Sequence, residues 1–148
     1  MLGRLARYLR FVGLDTSYVR GLSDDEVIHL CQAEGRFLLT RDQELAGRWT
    51  ESLCLESPVV EQQWRELRAR FPDLPSEVKF LRCSLCNGLL SAHVAPPDTP
   101  LPPGTPMDRV AAGLQLYRCE ACGHLYWAGS HTADLRQRIR RWSEAGPV

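Results

Sequence analysis

The sequence carries two cysteine knuckles, Cys83-Ser84-Leu85-Cys86 and Cys119-Glu120-Ala121-Cys122, in its second half. Two Cys-x-x-Cys pairs supply the four soft ligands of a closed, tetrahedral structural zinc site. Gly88 and Gly123 follow the knuckles and can adopt the left-handed conformation that each turn around the metal needs. The motif therefore predicts one structural Zn²⁺ ion bound by Cys83, Cys86, Cys119 and Cys122.

Two disulfide bonds or four buried thiols are the alternative interpretations of these cysteines. A secreted disulfide-bonded domain normally has a signal peptide and a denser set of cysteines. In this sequence, arginines interrupt the apolar segment 1–12, and no run of 18 apolar residues occurs. We therefore favour zinc, and we expect no membrane span, no signal peptide and a cytoplasmic protein.

The segment between the knuckles is 32 residues long, whereas about 15 to 20 residues are usual between the pairs of such a site. It contains six prolines, all between positions 96 and 106, which disfavour regular strand pairing. We therefore expect residues 91–113 to form a semi-rigid loop between the two halves of a zinc ribbon. Strands are expected at 114–118 and 125–127, into and out of the second knuckle.

The composition is consistent with two units in one short chain. At 148 residues and 44% hydrophobic, the chain can bury one ordinary core, or a small core plus a metal-held module. Residues 1–78 contain 10 basic and 13 acidic side chains, and residues 79–148 contain 8 and 5. An offset of three charges is typical of solvated surface, so charge alone does not establish nucleic-acid binding.

The first half of the chain alternates between helical and strand patterns. Residues 2–12 show an apolar stripe opposite Arg4, Arg7 and Arg10, arginines that either form a solvated face or bind phosphate. A capping box at residues 23–26 predicts a helix from Asp24, after an extended segment at 16–19 that we interpret as a strand.

Two further strands are predicted at 36–40 and 52–55, each followed by a helix. The second of these helices is expected to begin at Ser57-Pro58, and residues 72–76 are expected to link it to the ribbon. Strands that alternate with helices indicate a parallel sheet with helices on both faces.

Acidic residues follow two of the predicted strands. Asp42 comes after the strand at 36–40, and Asp24 comes after the extended segment at 16–19. Ligands of parallel sheets bind beyond the carboxyl ends of the strands, so the two carboxylates can converge there. Each is equally explained as an acid that stabilises a helix N-terminus.

The last helix is predicted to begin near Thr132, with Leu135, Ile139 and Trp142 facing inward. Its outer positions are basic, and they make this helix the best candidate for a nucleic-acid-binding patch, although a solvated face explains them equally well. These outer residues are Arg136, Arg138, Arg140 and Arg141.

Four stretches closely resemble the mut-seven C-terminal RNase domain family. They are Met1-Leu2-Gly3-Arg4-Leu5-Ala6-Arg7-Tyr8-Leu9-Arg10, Gly13-Leu14-Asp15-Thr16, Gly35-Arg36-Phe37-Leu38-Leu39-Thr40-Arg41-Asp42 and Tyr126-Trp127-Ala128-Gly129-Ser130-His131. The resemblance covers nearly the whole chain. It implies a PIN-like α/β domain fused to a zinc ribbon, in which acidic residues bind Mg²⁺ or Mn²⁺ for RNA hydrolysis.

Carried over from that family, Asp24 and Asp42 match its metal-binding acids, Asp25 is a neighbouring substitute and Asp15 is structural. The family pattern also places a strand with an aspartate before the Leu-Gly-x-Leu-Ala stretch. This sequence starts at Met1 within that stretch, so its PIN-like unit is expected to be N-terminally short.

We therefore expect a PIN-like domain at 1–76 and a zinc ribbon with a C-terminal helix at 77–148. The expected function is that of a metal-dependent endoribonuclease acting on RNA, most simply single-stranded RNA. Arg4, Arg7 and Arg41, together with the arginines of the last helix, are the expected RNA contacts. The alternative is a non-catalytic zinc-ribbon module that binds RNA or a protein partner.

Overall fold

The computed structural model describes residues 2–144 of the chain. Contacts divide the chain into two units: unit 1 contains Met1–Ala6, Ser17–Leu74 and Arg141–Val148, and unit 2 contains Arg7–Thr16 and Pro75–Arg140. The predicted domain boundary between residues 76 and 77 stays a prediction. None of the helices within residues 2–144 is long and apolar enough to cross a membrane.

The elements follow one another in a mixed α/β order. They are α1 (Gly3–Phe11), α2 (Asp24–Glu34), β1 (Leu38–Thr40), α3 (Gln43–Gly47), β2 (Ser52–Cys54), α4 (Val60–Arg70), β3 (Leu90–His93), α5 (Met107–Ala111), β4 (Leu116–Cys119), β5 (Leu125–Tyr126) and α6 (Ser130–Glu144). A small parallel sheet and an antiparallel sheet that bears the four cysteines confirm the predicted fold class.

Unit 1 contains the parallel pair, in which β1 and β2 run side by side with Leu38 opposite Ser52 and Thr40 opposite Cys54. The helix α3 connects them, as a parallel crossover requires. Strand β1 begins two residues later than predicted, because the backbone N–H of Arg36 donates to the carbonyl of Cys31 and so belongs to the end of α2.

The predicted strand at residues 16–19 is wrong. Within the part of the chain that the structure describes, the parallel sheet consists of β1 and β2, and residues 14–20 have no regular secondary structure. The backbone N–H of Thr16 donates instead to the side-chain oxygen of Asn87, at 3.0 Å. Asp24 therefore starts a helix without following a strand of the sheet.

Local capping fixes α2, as the sequence predicts. Ser23 and Glu26 form the reciprocal capping box, and Gly35 ends the helix in the left-handed conformation, at φ +63°. The apolar side of α2 packs with β1 and α3. The shared cluster contains buried Cys31, Leu38 and Leu45, flanked by Val27, Ile28 and Trp49.

Helix α4 begins at Val60 and not at Ser57-Pro58. The hydroxyl of Ser57 accepts the backbone N–H of Val59 in a turn ahead of the helix, so it does not cap the helix itself. Trp64 is fully buried, and its indole N–H donates to the hydroxyl of Ser143 at 3.1 Å. This hydrogen bond satisfies the polar atom of a core tryptophan.

Unit 2 contains the antiparallel sheet in the order β3-β4-β5. The prediction of a loop throughout 91–113 is wrong at both ends, since β3 continues to His93 and α5 occupies Met107–Ala111. The six prolines of this segment all lie from 96 to 106. The flanking residues keep the backbone N–H groups that strand pairing and a helical turn require.

Helix α6 begins two residues before the predicted cap. Thr132 lies in its first turn, where its hydroxyl accepts the N–H of Gly129 and donates to the carbonyl of Trp127. The predicted inward face is confirmed, because Leu135, Ile139 and Trp142 are all buried.

Candidate metal centre and acidic site

The four knuckle cysteines converge in unit 2. Their sulfur atoms all lie within 4.8 Å of one another, with Cys83 and Cys122 3.7 Å apart and Cys86 and Cys119 3.5 Å apart. A tetrahedron with Zn–S bonds of about 2.3 Å has sulfur–sulfur edges of about 3.8 Å. All four thiols are free, so the cluster has the dimensions and the ligand chemistry of a Cys₄ zinc site and contains no disulfide bond.

The two knuckles close by the same backbone hydrogen bonds. The N–H of Cys83 donates to the carbonyl of Gly88, and the N–H of Cys119 donates to that of His124. Four residues after each of these cysteines the backbone adopts positive φ, at Asn87 (+68°) and Gly123 (+81°). The equivalent bonds make the knuckles two copies of one turn.

Gly88 is required for a different reason from the one that the sequence suggests. The left-handed residue of the first knuckle is Asn87, so Gly88 does not supply that conformation. A Cβ atom at Gly88 would lie 2.8 Å from the sulfur of Cys119 and 2.9 Å from the Cβ of Ala121. Only glycine lets the two knuckles approach closely enough to bring the four sulfurs together.

Hydrogen bonds to sulfur prepare part of the cluster for metal binding. Burial works to raise the pKa of Cys119, but the N–H groups of Cys122 and Ala121 and the Cys86 thiol lower it to about 7. The N–H of Gly88 works to lower the pKa of Cys86, yet burial and hydrogen bonds to the other thiols raise it to about 12. Thiolates are the form that binds metal, so metal binding to this cluster releases protons.

The phenol of Tyr126 lies beside the first knuckle. Its oxygen accepts the backbone N–H of Ser84 at 3.1 Å and lies 3.0 Å from the sulfur of Cys83. Burial and the hydrogen bond with Cys83 raise the pKa of Tyr126 to about 12. The phenol therefore stays protonated at neutral pH and can donate to a thiolate.

Residues 10–16 hold the same knuckle from another direction. The guanidinium of Arg10 donates to the carbonyls of Ser84 and Leu85, at 3.0 and 3.4 Å. The side-chain amide of Asn87 donates to Asp15 at 2.7 Å, in line with the structural role expected for that aspartate. The Gly13-Leu14-Asp15-Thr16 stretch is thus part of the environment of the cysteine cluster.

Arg10 is buried, which contradicts its assignment to the outer arginine stripe of α1. Three residues rotate a helix about 60° short of a full turn, so the stripe turns by about 120° from Arg4 to Arg10. Arg4 and Arg7 are exposed, as predicted. The spacing of the arginines was the available signal, because a stripe with a period of three drifts towards the apolar side.

Asp42 lies in unit 1, two residues beyond β1, where it forms the N-cap of α3. Its Oδ1 accepts the backbone N–H groups of Glu44 and Leu45, at 2.9 and 3.1 Å. No described residue hydrogen-bonds its Oδ2, and the side chain is exposed. One carboxylate oxygen thus fixes the helix start, and the other faces solvent.

Asp24 and Asp25 are the first two residues of α2, and Asp25 is paired with an arginine. Asp25 accepts a hydrogen bond from Arg48, the C-cap residue of α3, and this bond, with smaller contributions from the charges of Asp25 and Asp24, raises the pKa of Arg48. Asp42 starts the same helix that Arg48 ends. Within residues 2–144, the four cysteines are the only cluster of three or more candidate ligands, so the catalytic set Asp24, Asp25 and Asp42 stays a prediction.

The predicted RNA-binding arginines are all exposed. They are Arg4, Arg7, Arg41, Arg136, Arg138, Arg140 and Arg141. Arg41 donates to the carbonyl of Glu56 at 3.3 Å, and Arg138 makes a long contact of 3.5 Å with the phenol of Tyr8. Exposure is compatible with RNA contact, and equally with a solvated surface.

A comparison with known families gives the decisive finding. The model of the Mut7-C RNAse domain matches residues 1–139. The chain belongs to this family. The resemblance seen in the sequence is therefore confirmed, and the Mut7-C match spans both the acids of unit 1 and the four cysteines of unit 2. No curated protein and no solved structure matches the chain.

Proposed function

We propose that this Mut7-C chain is a metal-dependent endoribonuclease that hydrolyses phosphodiester bonds of single-stranded RNA. The observation that carries the proposal is the match to a ribonuclease domain over residues 1–139. The exposed acids at the helix starts of unit 1 supply oxygen ligands of the kind that Mg²⁺ and Mn²⁺ prefer.

Asp42 and Asp24 are the proposed ligands of the catalytic ion. Magnesium sites commonly use one or two carboxylates together with water and substrate phosphate, so two acids satisfy the donor chemistry. When bound, such an ion polarises the phosphate and lowers the pKa of the attacking water. Asp42 would offer its Oδ2 to such an ion, while Oδ1 keeps its hydrogen bonds at the N-cap of α3.

Asp25 has a supporting role in this proposal. Its ion pair with Arg48 leaves it less free than Asp24 to bind a cation. The arginine also limits the negative charge at the start of α2, where three acids follow one another as Asp24, Asp25 and Glu26. Loosening of the Asp25–Arg48 pair would provide a third carboxylate.

The remaining parts of the proposal concern zinc and RNA. The four cysteines hold a structural Zn²⁺ that fixes the two knuckles, because a closed Cys₄ set leaves no open coordination position for substrate. The seven exposed arginines bind the phosphates of the RNA, which makes binding sensitive to salt. The protein is proposed to act in the cytoplasm.

A non-catalytic module that binds RNA or a protein partner is the second candidate. The observation that favours it is the absence, among the described residues, of a cluster of three carboxylates within ligand reach of one another. A module of this type needs the zinc-held ribbon and a basic surface, and it needs no catalytic metal.

Cleavage of a fluorescently labelled single-stranded RNA distinguishes the two functions. The nuclease proposal predicts cleavage in Mn²⁺ or Mg²⁺, its loss on chelation of these ions, and its return when they are added back. Zinc content is measured in the same samples, and a chelator too weak to strip a Cys₄ site keeps the two metals separate. Binding of the RNA without cleavage, in either ion, supports the binding module.

A further inference from the structure

Arg10 places a positive charge in the interior of unit 2. The residue is only 6% exposed, although it lies on a helix whose other arginines, Arg4 and Arg7, are exposed. Its guanidinium donates to three backbone carbonyls, those of Thr16, Ser84 and Leu85. These hydrogen bonds come from Nε and one terminal nitrogen, and the neutral carbonyls that accept them leave the full charge uncompensated.

No carboxylate within the described part of the chain forms an ion pair with Arg10. Arg82 offers a contrast beside the same knuckle, because it donates to the carbonyl of Asn87 and has Asp15 at 4.0 Å. Buried charges in proteins are almost always paired or bound to a metal site, because removing an unpaired charge from water is costly. The negative charge that compensates Arg10 must therefore come from another group near its guanidinium.

Burial lowers the pKa of Arg10, and the nearby thiols of Cys83 and Cys86, when ionised, oppose that shift and favour the charged guanidinium. A zinc ion bound by four thiolates keeps about two units of negative charge. This excess charge would lie beside the first knuckle, whose Ser84 and Leu85 carbonyls accept hydrogen bonds from the guanidinium.

We infer that Arg10 is the counter-charge of the four-cysteine metal centre. It holds the carbonyls of Ser84 and Leu85 and so positions Cys83 and Cys86, and its charge offsets the excess negative charge of the loaded site. Burial of Arg10 and binding of the metal are therefore coupled, since each charge compensates the other. The inference rests on the zinc ion proposed above and is independent of ribonuclease activity.

A purely mechanical role of Arg10 is the competing explanation. In that case its hydrogen bonds fix the knuckle, and its charge is incidental. Arg10→Lys and Arg10→Met separate the two explanations. Lysine keeps the charge but loses the planar fork of donors, whereas methionine fills much of the same space without either.

Zinc affinity of the full chain is measured by competition with a chromogenic chelator, with Arg82→Met as the matched control. Removal of an outer partner of a metal site typically weakens metal binding by about 10- to 100-fold. We expect a loss in that range for Arg10→Met, and losses of less than about tenfold for Arg10→Lys and Arg82→Met. Equal losses in Arg10→Met and Arg10→Lys, or an unchanged affinity in Arg10→Met, would overturn the inference.

Cobalt substitution gives a readout that a mechanical role would not change. A positive charge near a thiolate stabilises its electrons, so its loss should move the sulfur-to-cobalt charge-transfer band of Arg10→Met to longer wavelength. Arg10→Lys should keep the wild-type band. The same band position in all three proteins, or failure of both Arg10 variants to fold, would assign Arg10 to the scaffold.

The zinc content of the wild-type chain is determined first. If the wild-type chain binds one zinc ion and the Arg10 variants bind zinc with unaltered affinity, the counter-charge inference is wrong and the zinc site stands. If the wild-type chain binds no zinc, the inference and the zinc site are both wrong.

Discussion

The phenol oxygen of Tyr126 lies 3.0 Å from the sulfur of Cys83, which is itself fully buried. The Ser84 N–H donates to the same oxygen and the Ser84 hydroxyl lies 3.1 Å from it, so the phenol can donate to a Cys83 thiolate while both Ser84 groups donate to the phenol oxygen. A hydrogen bond of this type stabilises the charged sulfur and orients it for the metal. The Tyr126-Trp127-Ala128-Gly129-Ser130-His131 stretch thus begins with a residue of the metal environment.

Tyr126→Phe removes that hydroxyl and keeps the ring. We expect zinc affinity to fall by about tenfold or more, with little change in the fold. Chelator competition measures the effect. Tyr117→Phe is the control, since Tyr117 lies opposite Tyr126 in the same sheet and stacks on Phe80. Equal affinities in both variants would show that the Tyr126 hydroxyl does not support the site.

Gly88→Ala should damage the metal centre by steric conflict. The new Cβ would meet the sulfur of Cys119 at 2.8 Å, and overpacking of this kind costs about 1–3 kcal/mol. We expect zinc affinity to fall by about 5- to 150-fold. Gly47→Ala is the control, because no atom lies within 4 Å of a Cβ built there. A Gly88→Ala protein that binds zinc as tightly as Gly47→Ala would contradict this geometry.

The capping box of α2 predicts an unusually acidic Glu26. The backbone N–H of Ser23 donates to the Glu26 carboxylate, and the Ser23 hydroxyl accepts the backbone N–H of Glu26. Hydrogen bonding by the backbone and then by the side chain of Ser23 lowers the pKa of Glu26 from its ordinary value of 4.5. Because the pKa of Glu26 is lowered in the folded state, its ionised carboxylate stabilises the helix start above about pH 4.5. This stabilisation is lost as the pH falls through the folded-state pKa.

Carbon-detected NMR titration of Glu26 measures this value directly. Ser23→Ala should raise the pKa of Glu26 towards 4.5 but not remove the whole shift, because the backbone N–H remains. An unchanged pKa in Ser23→Ala would show that the hydroxyl has no part in the shift.

Arg136 and Arg140 lie one turn apart on α6, and both are exposed. If both contact phosphate, Arg136→Ala/Arg140→Ala should lower the slope of log affinity against log salt by about 1 to 2 for single-stranded RNA. Arg20→Ala/Arg70→Ala, with the same change in charge at arginines that lie over aromatic rings, is the control. Identical slopes in the two double variants would leave α6 without a specific share in RNA binding.

The sequence predicted those parts of the fold that local chemistry determines. The capping box and Gly35 set the limits of α2, and the paired knuckles predicted the cysteine cluster. The buried positions of α6 followed from helical periodicity alone. In each case the interactions that decide the structure lie within a few residues or in one recognisable spacing.

Features that depend on distant contacts were not predictable in this way. Arg10 is buried because residues 84 and 85, more than 70 positions later, supply carbonyls for its guanidinium. Asn87 takes the left-handed position because its backbone N–H bonds Cys83 within the knuckle, which a sequence with both Asn87 and Gly88 does not reveal. The acids of unit 1 have no comparable spacing rule, since the distance between them depends on how α2 and α3 pack.

The central claim is that Asp42 holds the ion that catalyses RNA hydrolysis, and Asp42→Asn tests it most directly. Asparagine is as good an N-cap as aspartate, so its side-chain oxygen can keep the hydrogen bonds to Glu44 and Leu45 while the charge is lost. Asp73→Asn, at another exposed acid of unit 1, is the matched control.

The decisive measurement is the rate of single-stranded RNA cleavage in saturating Mn²⁺. The account predicts a loss of about 10² or more in Asp42→Asn, because the ion that stabilises the transition state is no longer held, and a wild-type rate in Asp73→Asn. Cleavage by Asp42→Asn at the rate of Asp73→Asn, with both proteins folded, would contradict it.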